Sequence, residues 1–197
     1  MRYIPIKVCV KRGRFNLYQT IREAVEEQGE AILDGDILAV SSKFIAMSEG
    51  RVVDLESVKA SADAVKLSAA AHIPNSLAEL ILRESDRIYS TLPGFVLTIK
   101  HGMVVPNAGI DRSNVERGSA ILYPRDPVAS AERLRLQILV DLGKRVGVVV
   151  TDSRLMPTRV GTTGIAVAAA GFEAVSDERG KTDLFGNIMR VTRRALA

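Results

Sequence analysis

Two stretches of this sequence gather oxygen-bearing side chains where a cation or a phosphate could be held. The first is Asp152, which follows the apolar run VGVVV at 146–150 and Thr151. A strand anchored in a core holds a carboxylate rigidly, and hard divalent cations take oxygen ligands on such anchors. An Asx turn or a helix cap is the alternative use of that carboxylate. The second stretch is N-A-G-I-D-R-S-N at 107–114, where Asn107, Asp111, Ser113 and Asn114 concentrate acceptors and donors around a permissive glycine. An ordinary polar turn would account for it equally well. Asp111 and Asp152 together would offer one metal two carboxylates, but spacing alone does not bring them together.

Other chemistry is poorly supplied. Arg179-Gly180-Lys181-Thr182 resembles the end of a phosphate-cradling loop, yet the position needing the loop's first glycine is Val175. Gly161-Thr162-Thr163-Gly164 lacks the first glycine of a dinucleotide fingerprint. Ser41 and Ser42 have no histidine nearby, so a serine triad has no support. Cys9 is the single cysteine, which excludes an internal disulfide and a multi-cysteine zinc site. It falls in an expected strand and reads as a small buried apolar residue. His72 reads as a capping or solvent-facing residue, and His101 as part of a turn.

These side chains need elements to position them. YIPIKVCV at 3–10 reads as a first strand, and the spacing of Leu17, Ile21, Ala24 and Val25 predicts a helix from about Phe15 to Gln28. Asp34-Gly35-Asp36 marks a turn before a short strand, ILAVSS. Helices are expected near 57–73 and 75–87, broken at Pro74, with Asn75 or Ser76 capping the second. FVLTIK and MVVP around His101-Gly102 predict a hairpin. SAILYP reads as a strand, and Asp126-Pro127 as a helix start, with Gly143 closing the helix after Asp141. VGVVV predicts a strand buried on both faces, and VTRRALA the start of an amphipathic helix. Hairpins mixed with helices point to an α+β fold with largely antiparallel, mixed sheets.

Composition sets the outer limits. The chain has 197 residues, 47% of them apolar and 25% charged, as in an average globular protein and unlike a disordered one. Charges interrupt every apolar run, and the N-terminal residues resemble neither a signal core nor a transit peptide. The expectation is a cytoplasmic protein without a membrane role, forming one domain over 1–197, or one domain with a lobe. Its 27 basic and 23 acidic residues are spread along the chain, and there is no tryptophan. Nucleic-acid binding is therefore not expected, whereas a phosphate-bearing small substrate fits the surplus.

Taken in order, the motifs form a pattern. N-A-G-I-D-R-S-N is followed by S-A-E-R-L-R at 130–135, G-K-R-V-G-V-V-V-T-D-S at 143–153 and R-x-G-x-x-G at 159–164. After these come A-G at 170–171, D-x-R-G-x-x-D-L-F-G at 177–186 and V-T at 191–192. This series resembles the coenzyme F420 gamma-glutamyl ligase family, densely from about 93 to 192 and more weakly over 34–51. The resemblance implies a GTP-dependent ligase. It would add L-glutamate to the lactyl carboxylate of the deazaflavin precursor F420-0 through an acyl phosphate, then a second glutamate through a gamma-linked amide. It further implies two divalent cations, Mn2+ or Mg2+, with K+ admissible beside them, and an intertwined homodimer with its site near the subunit interface.

By the same resemblance, Asp111 and Asp152 match carboxylates of the first metal, and Ser153 stands where a threonine commonly touches the second. Asn114, Ser42 and Lys43 match residues that approach the nucleotide. Several positions depart from the family. Met47 replaces a common lysine, and the N-terminal nucleotide loop reads Lys11-Arg12-Gly13-Arg14-Phe15-Asn16. T-D-T-N-G-R becomes Thr151-Asp152-Ser153-Arg154-Leu155-Met156, which alters the pocket wall and offers Arg154, or Arg159, to a phosphate. Family members also run on beyond V-T, so the expectation is a chain lacking that C-terminal lobe after about 192. Two other readings stay open: a shortened, non-catalytic F420-binding homologue, and a metal-dependent ligase for another acid.

Overall fold

The computed structural model describes residues 2–155 and 160–197, so Met156 and Arg159 lie outside the described residues. The chain divides into two compact units, one of 1–10, 16–45 and 126–197, the other of 11–15 and 46–125.

In the first unit, three strands form a sheet in the order β1 (Ile37–Ser41), β7 (Gly147–Leu155), β8 (Thr162–Ala170). β1 runs parallel to β7 and β8 antiparallel to it. Two helices contribute to the core, α1 (Leu17–Glu27) and α5 (Pro127–Leu142). Ile21 and Val25 of α1 and Ala131, Leu134 and Ile138 of α5 are buried with Val40, Val148, Val150, Ala168 and Ala170. A fully buried Leu or Ile side chain contributes roughly 1.5–3 kcal/mol, so these few positions dominate the unit's stability.

Local chemistry sets the helix ends. Asn16 caps α1 by accepting from Gln19 N at 3.0 Å. Asp126 caps α5 by accepting from Ala129 N at 2.9 Å, Pro127 opens its first turn, and Gly143 closes it in the left-handed conformation. Tyr18 of α1 donates its hydroxyl to Asp141 of α5, which also accepts from Arg22 at 2.7 Å.

In the second unit, α3 (Ala62–Ala71) and α4 (Asn75–Glu84) share a core with the meander β3 (Arg87–Leu92), β4 (Phe95–Lys100), β5 (Met103–Pro106). A two-stranded antiparallel pair, β2 (Val52–Asp54) with β6 (Ser119–Ile121), also belongs to this unit. The short α2 (Ser42–Ser48) follows β1 directly. The second unit also holds a buried charge cluster. Glu84, the last residue of α4, accepts from Arg51 and from Lys100 Nζ at 2.8 Å, while Lys100 Nζ also donates to the Glu84 carbonyl at 2.6 Å. Lys100 thus neutralises both a carboxylate and a helix C-terminus.

The α+β class and the hairpin at His101-Gly102 are as expected, and His72 caps α3 with φ of 53°. Other elements differ. Residues 3–10 form no strand, and Cys9 is exposed; the Lys7 N–H donates to the Gln28 side chain at 3.4 Å and not to a neighbouring strand. The α4 cap position is Pro74, whose ring carries no hydrogen-bonding group, and α4 ends at Glu84 so that 87–92 can pair with β4. β7 buries alternate residues only, since α1 and α5 share a core with one face while the other stays half-exposed. The chain's last segment is not helical: β10 (Arg193–Ala195) pairs with β9 (Val175–Asp177), and strand-to-strand hydrogen bonding overrides the weak helical pattern.

Candidate functional site

Asp152 does not sit beyond its strand but inside it, paired with Ile165 of β8. Immediately before it, the β7–β8 register shifts between Val150 and Thr151, a bulge that re-aims the residues that follow. Parallel pairing sets Ser41 opposite Thr151, so the next residue, Ser42, comes beside Asp152. Ser42 is buried and donates its hydroxyl to Asp152 Oδ1 at 3.2 Å. The same oxygen accepts the Ser153 N–H at 3.0 Å. Oδ2 accepts from Arg154 Nε at 3.1 Å, and the Arg154 side chain is only 7% exposed. The carboxylate is therefore fixed from both sides of the β1–β7 seam.

Strand alternation decides which neighbours share a face. Asp152 and Arg154 are two residues apart and project together, while Ser153 points to the opposite face and is exposed. Ser153 therefore serves Asp152 through its backbone. Lys43 follows Ser42 as the second residue of α2 and is half-buried, with Met47 one turn further along the helix.

Asp111 lies in the other unit. Its backbone exchanges two hydrogen bonds with Ile121, at 2.9 and 2.8 Å, which extends the β2–β6 pair by one bridge. Its carboxylate accepts from Ser113 N at 2.7 Å and Ser113 Oγ at 2.9 Å, an Asx turn. Asn114 adopts the left-handed conformation with φ of 56°.

The front half of this loop is architecture. Asn107, Ala108 and Gly109 have φ of 51°, 54° and 74°, a left-handed turn that costs free energy at its two non-glycine residues. Asn107 Oδ1 accepts from Val96 N at 2.9 Å, and the buried Ala108 donates to Thr98 Oγ1 at 3.0 Å. A Cβ on Gly109 would stand 2.5 Å from Tyr123 Cδ2, so the turn is also sterically closed. This packing carries Asp111 out of the core at a fixed point.

The structure thus joins Ser42 to Asp152 and adds Arg154, one of the two arginines, with Arg159, that the sequence offers to a phosphate. The period-two spacing of Asp152 and Arg154 was the available signal. No local signal predicts Ser42, because its contact depends on a parallel register across 110 positions. Among the described residues, no three His, Cys, Asp or Glu side chains cluster as a metal site, and no helix is long and apolar enough to cross a membrane.

Residues 6–197 match the family model described as F420-0:Gamma-glutamyl ligase. The chain belongs to this family. It is 37% identical over 178 residues to the coenzyme F420:L-glutamate ligase of Methanothermobacter thermautotrophicus, covering 90% of this chain and 71% of that one. It is 41% identical over 164 residues to that of Archaeoglobus fulgidus, covering 83% of this chain and 66% of that one. With the Methanopyrus kandleri ligase the match is 34% over 194 residues, covering 98% and 75%. The chain therefore spans about two thirds to three quarters of the length of these three relatives. Membership places it among the ligases of coenzyme F420 biosynthesis.

For a gamma-glutamyl ligase that employs a divalent cation, the donor chemistry here is suitable. Asp111, Asp152 and Ser153 present oxygen only, as hard cations favour, and each carboxylate accepts a backbone N–H that fixes it. Arg154, paired with Asp152 at 3.1 Å, brings a positive charge to one of these carboxylates.

Proposed function

We propose that this chain joins L-glutamate to F420-0 through an amide bond, with GTP as phosphoryl donor, and then adds a second glutamate through its gamma-carboxylate. The observation that carries this reading is the family match across 6–197, which includes both fixed carboxylates. A carboxylate is a poor electrophile. One lactyl carboxylate oxygen attacks the γ-phosphorus of GTP, the bond to the bridging oxygen breaks, and GDP leaves. The glutamate amine then attacks the acyl-phosphate carbon, inorganic phosphate departs, and the amine loses its proton.

Such a reaction needs positioning and neutralised charge more than covalent help from side chains. In this reading Asp111, Asp152 and Ser153 would each supply an oxygen to one of two divalent cations, Mn2+ or Mg2+, with the Ser153 hydroxyl offered from the face of β7 opposite Asp152. When bound, those ions neutralise phosphate charge. Ser42, Lys43 and Asn114 contact GTP, and Ser42 also steadies Asp152. Lys43 brings an ammonium to the start of α2, suited to a phosphate. The working unit is a homodimer, which sedimentation of the purified chain would measure.

Mass spectrometry of F420-0 incubated with the chain, L-glutamate, GTP and Mn2+ tests the reading. A gain of one or two glutamyl units that requires GTP is expected. Unchanged F420-0, or a gain without GTP, would overturn it.

A further inference from the structure

Asp152 faces an internal competitor. Its two oxygens offer about four acceptor positions, of which Ser42 Oγ, Ser153 N–H and Arg154 Nε occupy three. Two of these donors are neutral, whereas Arg154 is a permanent cation. Its guanidinium reaches Oδ2 at 3.1 Å from a side chain that is 7% exposed, so solvent screens this pair little. Residues two apart on β7 share a face, and the contact follows from the strand itself.

We propose that Arg154 is a positioning residue that acts as a tethered cation on Asp152, competing with a divalent ion for Oδ2 and setting a weak affinity there. The inference rests on the reading of Asp152 as a cation ligand. A guanidinium at hydrogen-bond distance favours the bare carboxylate without metal and repels an incoming dication.

The test is Mn2+ binding to the purified chain, followed by the electron paramagnetic resonance signal of free Mn2+, without nucleotide or F420-0. Arg154→Gln is expected to bind Mn2+ about tenfold more tightly, the scale on which one charge at this distance shifts a carboxylate equilibrium. Arg154→Lys keeps the charge and is expected to retain wild-type affinity, a rescue that lost packing would not produce. Asp152→Asn should lose the site in either background. If Arg154→Gln binds Mn2+ equally or more weakly while Asp152→Asn still loses it, the competition is overturned and the metal reading stands. If Asp152→Asn leaves binding unchanged, both fall. Thermal unfolding of each variant shows whether it is folded; should Arg154→Gln not fold, Arg154→Met and Arg154→Lys decide the same comparison.

Discussion

Ser42 donates its hydroxyl to Oδ1 of Asp152 across 3.2 Å, although the two residues lie 110 positions apart. The parallel register of β1 on β7 makes this contact, and it ties the start of α2 to the carboxylate. Removing a buried hydroxyl leaves one carboxylate acceptor unmet, at about 1 kcal/mol. Ser42→Ala is therefore expected to lower stability modestly in urea unfolding while raising the half-saturating Mn2+ of ligation several-fold. Ser42→Thr keeps the hydroxyl and should leave the Mn2+ dependence near wild type.

Gly109 is required twice over, by its φ of 74° and by the 2.5 Å approach of Tyr123 to any added Cβ. Gly109→Ala should cost about 2 kcal/mol or more, the sum of a left-handed penalty and overpacking. Urea unfolding at neutral pH checks it, and a midpoint unchanged from wild type would show that the turn relaxes freely.

The elements that could be read from sequence are those whose signals are local. Asp126, Pro127 and Gly143 bound α5 as their chemistry requires, and His101-Gly102 turns the β4–β5 hairpin. β3 was hidden because Arg87–Leu92 carries no signal that outweighs the helix before it; its pairing with β4 decides its state. The same holds at the C-terminus, where β9 captures Arg193–Ala195. In the site, Asp111 and Asp152 stand out as acidic residues beside core strands. The roles of Ser42 and Asn107 do not, because they depend on contacts made across the fold or across a hairpin.

Glu84 balances two cations, Arg51 and Lys100, whose side chains are 9% and 6% exposed. Glu84→Gln leaves two buried positive charges facing each other, whereas Lys100→Met leaves a matched pair. Breaking a buried pair costs about 3–5 kcal/mol, so Glu84→Gln should reach that range and Lys100→Met should cost less. Denaturant midpoints of the two variants give the order, and the reverse order would contradict it.

Glu79 links α4 to the cap of α3. Hydrogen bonds from the Ser61 hydroxyl and N–H, then from Arg83, lower its carboxyl from 4.5 to about 2. A depressed folded value means that the stabilisation is complete above 4.5 and is lost as pH falls toward 2. Glu79→Gln should therefore melt below wild type at neutral pH, with the gap closing through that acidic window. A gap that is constant with pH would assign the loss to packing instead.

The proposed ligation turns on activation of the substrate carboxylate by GTP as an acyl phosphate. The most direct measurement supplies F420-0 with heavy oxygen in its lactyl carboxylate and follows the label through one round of ligation by mass spectrometry. The released inorganic phosphate is expected to carry one labelled oxygen for each amide formed. Amide formation with unlabelled phosphate would contradict it.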